Sequence, residues 1–172
     1  RAAEIIRRMR AFVNKKDPHH EIVNINELIT RVSGFLASEM ERESIELKLT
    51  LTDNPEPLIV DAIQIEQVML NLLRNAIDAV KVPWQGPREI EIRSYNSEDD
   101  SVHVDVLDTG YGFREGEQQQ IFDPFYTTKD EGMGMGLSIS RTIIEAHGGT
   151  MYTEVTDHYT LVGIAVPKSA DK

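Results

Sequence analysis

Apolar residues recur along this chain in two rhythms, one near 3.6 residues and one of two, and the points where the rhythm changes divide it into elements. Ile5, Ile6, Met9, Phe12 and Val13 keep helical spacing among charged neighbours, so the opening stretch reads as a helix. Asn14 to His20 interrupts it, with Asp17-Pro18 at the centre. Glu21 to Ile25 fits a short edge strand, and Asn26 stands where a cap is expected for a helix reaching to about Arg42. Ile45, Leu47, Leu49 and Leu51 alternate, which predicts a strand over 45–52. Asn54-Pro55-Glu56-Pro57 turns the chain, and Leu58 to Val60 follows as another short strand.

The clearest helix comes next. Asp61 and Gln64 have the spacing of a capping box, and Ile65, Val68, Met69, Leu72, Leu73, Ala76, Ile77 and Val80 form one apolar face behind them. Pro83-Trp84-Gln85-Gly86-Pro87 ends it. Arg88 to Asn96 and Ser101 to Leu107 alternate as two strands around an acidic turn, and a Gly-rich stretch runs from Asp108 to Gly136. Leu137 to His147 is helical and stops at Gly148-Gly149, and Thr150 to Val155 and Thr160 to Val166 close the chain as strands. Interspersed strands and helices predict a sheet with its helices packed on one face.

Composition narrows the class. The chain has 172 residues, enough for one core and an appended helix. It has no cysteine, which removes disulfide frameworks and thiolate zinc sites and suits the cytoplasm. No apolar run is long enough to span a bilayer. Charge is uneven: residues 1–16 carry six basic groups against one acidic (+5), and residues 17–172 carry 12 basic against 28 acidic (−16). So acidic a body excludes nucleic acid as a main partner, because phosphate backbones are held by basic surfaces. A phosphorylated ligand would have to be held by backbone N–H groups and a metal ion.

Four segments carry candidate chemistry. Asn71, Asn75 and Asp78 stand at i, i+4 and i+7, a narrow polar stripe opposite the apolar face of the long helix. A solvated face would serve as well, but Glu and Lys are the usual residues there, and asparagine is a poor helix former. An amide oxygen can ligate Mg²⁺ while its NH₂ donates to phosphate. Asp108-Thr109-Gly110-Tyr111-Gly112-Phe113 follows a strand directly, and an Asp there can accept from an amino group; a plain turn explains it equally. Gly132-Met133-Gly134-Met135-Gly136-Leu137-Ser138 opens a helix, an arrangement that binds phosphate or simply bends. Phe122-Asp123-Pro124-Phe125-Tyr126-Thr127-Thr128-Lys129 lies between these loops, its aromatics placed to anchor a lid from Phe125 to Met135 and Lys129 to reach a terminal phosphate.

In this order, Gln67 to Ala76, Asp108 to Gly112, Phe122 to Phe125 and Gly132 to Leu137 resemble the N, G1, F and G2 boxes of sensor histidine kinases. The resemblance covers roughly residues 21–167, and Thr127-Thr128-Lys129 with Ser138-Ile139-Ser140-Arg141 looks closest to the FixL-like subgroup. Arg1 to Phe12 resembles the end of the second helix of that family's dimerisation hairpin. The resemblance implies residues 1–16 as the end of a phosphoacceptor hairpin and 17–172 as a catalytic ATP-binding domain. It implies a Bergerat-type α/β (α+β) two-layer sandwich with a mixed sheet, as in gyrase, Hsp90 and MutL. ATP and Mg²⁺ are the implied cofactors. The implied partners are the upstream hairpin, a response regulator receiver domain and a second copy of the whole protein, whose parent is either membrane-bound or not.

By that resemblance Asn75 ligates Mg²⁺, Asn71 and Arg74 flank the triphosphate, and Asp108 takes the adenine amino group. Gly110 and Gly112 make room for the base, and Gly132, Gly134 and Gly136 line the phosphates. Asp78, Thr128, Lys129, Met133, Met135 and Leu137 complete the implied nucleotide site, with Asn71, Lys129 and Arg74 as the implied catalytic groups. Related ATPases place a Thr near the adenine in the last strand; here Leu161 is expected to hold that place, with Thr160 one position early. The phosphate-accepting histidine is expected upstream of Arg1. His20-Glu21 imitates its first two letters but follows Pro18 and leads into a strand, and His19, His103, His147 and His158 read as surface or helix-end residues. Related hydrolases carry a glutamate base where this chain has Asn71, which cannot take a proton. A hydrolase and a non-catalytic binding module are the rival classes.

Overall fold

The computed structural model describes residues 19–81, 85–113, 116–126 and 134–168. In chain order these form β1 (Glu21–Val23), α1 (Ile25–Arg42), β2 (Glu46–Leu51), β3 (Leu58–Val60), α2 (Ala62–Lys81), β4 (Glu89–Asn96), β5 (Ser101–Asp108), α3 (Glu117–Gln120), α4 (Gly136–Ala146), β6 (Thr150–Val155) and β7 (Thr160–Pro167). The expected opening helix lies outside the described residues. Among them, no helix is long and apolar enough to cross a membrane.

Five strands form a mixed sheet in the order β2-β4-β5-β7-β6, and β1 pairs with β3 in a separate antiparallel ribbon. Only β2 runs parallel to its neighbour; its register sets Glu46 beside Glu89. Alternation along β5 explains the layering. Val102, Val104 and Val106 face the helices across from Val166, Ile164 and Val162, whereas His103, Asp105 and Leu107 face outward. On the inner side, the eight apolar residues read from the long helix are all buried, together with Ile25, Leu28, Ile29, Val32, Leu36 and Met40 of α1. Each fully buried aliphatic side chain contributes about 1.5–3 kcal/mol, so this inner layer is what fixes α2 on the sheet.

Helix ends follow local chemistry, with one correction. Asn24, not Asn26, caps α1, its Oδ1 accepting from the Asn26 N–H at 2.9 Å. The Asn26 side chain is engaged elsewhere: it donates to the Thr52 carbonyl at 2.8 Å and accepts from Ser94 Oγ at 2.7 Å, tying α1 to the sheet. At α2, Asp61 Oδ1 accepts from the N–H groups of Ile63 and Gln64, each at 3.1 Å, and Gln64 Nε2 donates to Asp61 Oδ2 at 3.0 Å. The Asp61 N–H donates instead to His147 Nε2 at 3.1 Å, joining the start of α2 to the end of α4. The Gly-rich stretch also hides a short element, α3, that carries no buried residue and hence no periodic signal.

Outward, a polar cluster replaces the open surface expected around His103. Tyr152 Oη donates to Asp105 Oδ1 at 2.5 Å and lies 2.9 Å from His103 Nδ1, while Tyr95 stacks on the His103 ring. A Cβ at Gly163 would collide with the Tyr152 ring, so glycine is what lets that ring lie across β7. His103 is thus largely covered rather than a surface residue, its side chain 15% exposed.

Candidate nucleotide-binding site

The polar stripe of α2 is the floor of the site. Asn71, Asn75 and Asp78 are all half-buried, their helix held by the apolar face behind them. At one end of the stripe, Asn71 Nδ2 donates to Ser140 Oγ of α4 at 2.9 Å. Its Oδ1 lies 2.5 Å from where a Cβ at Gly136 would stand, so the start of α4 is set close against the Asn71 amide. Ser140 is 1% exposed, and nothing in its local sequence marks it beyond a subgroup signature. At the other end, a Cβ at Gly110 would meet the Ala79 carbonyl oxygen at 2.6 Å, so the loop after β5 is laid directly on α2. Asn71 to Ala79 spans eight residues, about 12 Å along the helix axis.

Asp108 closes that second end. It is 7% exposed, and its Oδ1 accepts from the Gly110 N–H at 2.9 Å. Burial pushes its carboxyl up to about 7, against the pull of that hydrogen bond. Across the sheet its register partner is Thr160, which is 4% exposed. A Cβ at Gly112, whose φ is +71°, would come 3.3 Å from Thr160 Oγ1. The expectation that Leu161 occupies this place is therefore corrected: Leu161 pairs with Leu107 and shares its outward face, and Thr160 stands beside Asp108. Counting residues from the chain end could not supply the strand register that decides this.

The opposite end presents backbone donors. α4 begins at Gly136, against Asn71, with Met135 as N-cap and no side-chain cap, and a helix N-terminus carries backbone donors that suit an anion. Gly134, at φ +65°, lies against the backbone of Phe125 and Tyr126, where a Cβ would collide with the Phe125 carbonyl carbon. Phe125 has φ +69° and is 75% exposed, a strained conformation for a bulky residue at the edge of a site. Arg141 lies over the Phe122 ring at 5.7 Å, and Leu137 packs on the core. Thr128, Lys129, Gly132 and Met133 lie outside the described residues. Arg74 is exposed, and its charge reaches α1, where it adds to the effect of Lys81 in holding the Glu39 carboxyl below its ordinary value. Among the described residues, no group of three or more His, Cys, Asp or Glu could hold a metal ion.

Residues 60–169 match the family model described as histidine kinase-, DNA gyrase B-, and HSP90-like ATPase. The chain belongs to this family. Its sequence is 38% identical over 154 residues to the sensor protein FixL of Bradyrhizobium diazoefficiens, a match covering 90% of this chain and 30% of that protein. The nucleotide-free catalytic domain of the histidine kinase ThkA superposes with a TM-score of 0.77 at 33% identity, over 87% of this chain and 95% of that one. A complex of ThkA with the response regulator protein TrrA gives a TM-score of 0.81 at 28% identity, over 98% of this chain and 47% of that one. This ATPase-family chain thus has the fold of histidine kinase catalytic domains and spans about 30% of the length of FixL.

Proposed function

We propose that this domain binds ATP and transfers its γ-phosphoryl group to a histidine, as the catalytic part of a two-component sensor kinase. One observation carries the assignment. The asparagine stripe of α2 runs between a buried carboxyl at Asp108 and the uncapped start of α4, two ends that complement an adenine amino group and a polyphosphate. Residues 17–172 would form the catalytic domain and 1–16 the end of a phosphoacceptor hairpin.

The residues present fit Mg²⁺. A half-buried amide at Asn75 supplies a neutral oxygen, and Mg²⁺ ordinarily takes one or two protein ligands with phosphates and waters completing its shell. Bound there, the ion would neutralise charge developing on the phosphates. Asn71 and Arg74 would flank the triphosphate, Gly134, Met135, Gly136 and Leu137 would line it with Gly132 and Met133, and Thr128 and Lys129 would close over it. Asp78 would complete the nucleotide site, and Gly110, Gly112 and Thr160 would stand around the base. Asn71 lacks a proton-accepting side chain, which favours a kinase over a hydrolase.

The acceptor would be a histidine outside this chain's five, on the upstream hairpin of the same or a partner subunit. A response regulator receiver domain would take the phosphoryl group onward, a reading supported by similarity to the ThkA complex with TrrA. With that partner the domain would work in the cytoplasm, whether or not the full-length protein is membrane-bound. Titration calorimetry with Mg-ADP tests the nucleotide reading, and γ-labelled ATP with and without an added hairpin tests the kinase reading. Binding without labelling in either chain would leave a non-catalytic nucleotide module, and phosphate release without labelling a hydrolase.

A further inference from the structure

Three isoleucines stand exposed among the described residues, and all three belong to one region. Ile22 of β1 is 77% exposed, Ile59 of β3 is 50% exposed, and Ile63 in the first turn of α2 is 78% exposed. Ile22 and Ile59 are cross-strand partners, so they share the face of the ribbon opposite the one that buries Val23, Leu58 and Val60. A two-stranded ribbon with one buried face and one aliphatic open face is poorly covered by its own chain.

The chain on either side of this face is mainly acidic, with Arg31 of α1 set against Glu66 at 3.5 Å. Residues 19–30 and 52–73, which contain the ribbon and the start of α2, hold six acidic groups and no Lys or Arg. The acidic six are Glu21, Glu27, Asp53, Glu56, Asp61 and Glu66. A fitting occupant is therefore apolar along one side and basic along the other.

The chain supplies such a segment immediately upstream. Residues 5–16 hold Ile5, Ile6, Met9, Phe12 and Val13 at helical spacing, and Arg7, Arg8, Arg10, Lys15 and Lys16 with no acidic residue. Phe12 is seven residues before His19, where the described chain begins, and seven residues reach at most about 24 Å. That tether holds the segment at high effective concentration near the ribbon.

We propose that the open face of the β1–β3 ribbon, with Ile63, is the docking site of residues 5–16 of the same chain. Docking there fixes the direction in which anything upstream leaves the ATPase domain. It rests on the isoleucine face and the opposed charges, and does not require nucleotide.

The test uses the whole 172-residue chain, whose lack of cysteine allows clean cross-linking. Amide exchange over residues 5–16 is compared between wild type and Ile22→Ser/Ile59→Ser; both side chains are exposed, so the ATPase core stays folded and ADP binding stays unchanged. Exchange is expected to be at least tenfold slower in wild type, with the difference lost in 1 M salt. Met9→Cys with Ile63→Cys is expected to oxidise within one molecule at least tenfold faster than Met9→Cys with Glu154→Cys, a control on the outward face of β6. Equal exchange in both proteins, or equal oxidation in both pairs, overturns the proposal. Disulfides formed solely between two molecules also overturn it, assigning the face to a second copy.

Discussion

Replacing Asp108 by Asn separates the demands of folding from those of binding at one buried carboxyl. With the folded pKa at about 7 and the ordinary value at 3.8, the unfolded chain ionises first as pH rises. Between those values each pH unit destabilises the fold by about 1.4 kcal/mol. Above 7 both states are ionised and the loss levels off at about 4 kcal/mol. Stability from this group is thus fully present below pH 3.8 and is lost as pH rises towards 7. The amide that replaces the carboxyl cannot ionise, and every other titrating group is common to both proteins and cancels in the difference. Asp108→Asn is therefore expected to gain about 2–3 kcal/mol on wild type between pH 5 and pH 8, whatever its offset at pH 5. Urea denaturation of both proteins at pH 5, 6, 7 and 8 measures this gap directly. A gap that stays constant within about 0.5 kcal/mol across that range would refute the argument, because desolvation of the carboxyl is its sole source. The same shift bears on ligand binding: an adenine amino group donating to the carboxylate favours its charged form, so ADP affinity is expected to fall by up to tenfold per pH unit below 7 in wild type, and to lose that dependence in Asp108→Asn.

Asn75→Ala is expected to weaken nucleotide binding with Mg²⁺ while leaving Mg²⁺-free binding unchanged; equal affinities in calorimetry would remove Asn75 as the metal ligand. Asn71→Ala leaves Ser140 Oγ buried without its donor and is expected to destabilise the fold by about 1–3 kcal/mol in denaturant titration. Gly110→Ala forces a Cβ to 2.6 Å from the Ala79 carbonyl oxygen, so a loss of about 1–3 kcal/mol and weaker ADP binding are expected together. Tyr152→Phe removes the hydroxyl that donates to Asp105, a residue 5% exposed, and is expected to lower stability by about 1–3 kcal/mol with ADP affinity unchanged, since the cluster faces away from α2.

Much of this architecture was legible along the chain because its elements are strongly periodic. The apolar face of α2, the alternation in β4 and β5 and the glycine stop after α4 each follow from residues within one element. The order of the four boxes likewise pointed to the family. Positions set by short polar side chains were harder. Asn26 reads as the cap of α1, but Thr52 and Ser94, which are 26 and 68 residues from it, draw its side chain away and leave the cap to Asn24.

By itself the sequence determined which face of each long element is apolar and where backbone turns occur. Those properties are local, fixed by spacing and side-chain type. What tertiary structure decided were the meetings between elements. Thr160 rather than Leu161 stands beside Asp108 because β5–β7 register assigns alternate residues to opposite faces. Asn71 is held to Ser140, and Gly110 is laid on Ala79, by packing across 69 and 31 residues of chain. The raised pKa of Asp108 exists only once those contacts exclude water, since desolvation belongs to the assembled layer and not to any residue within it.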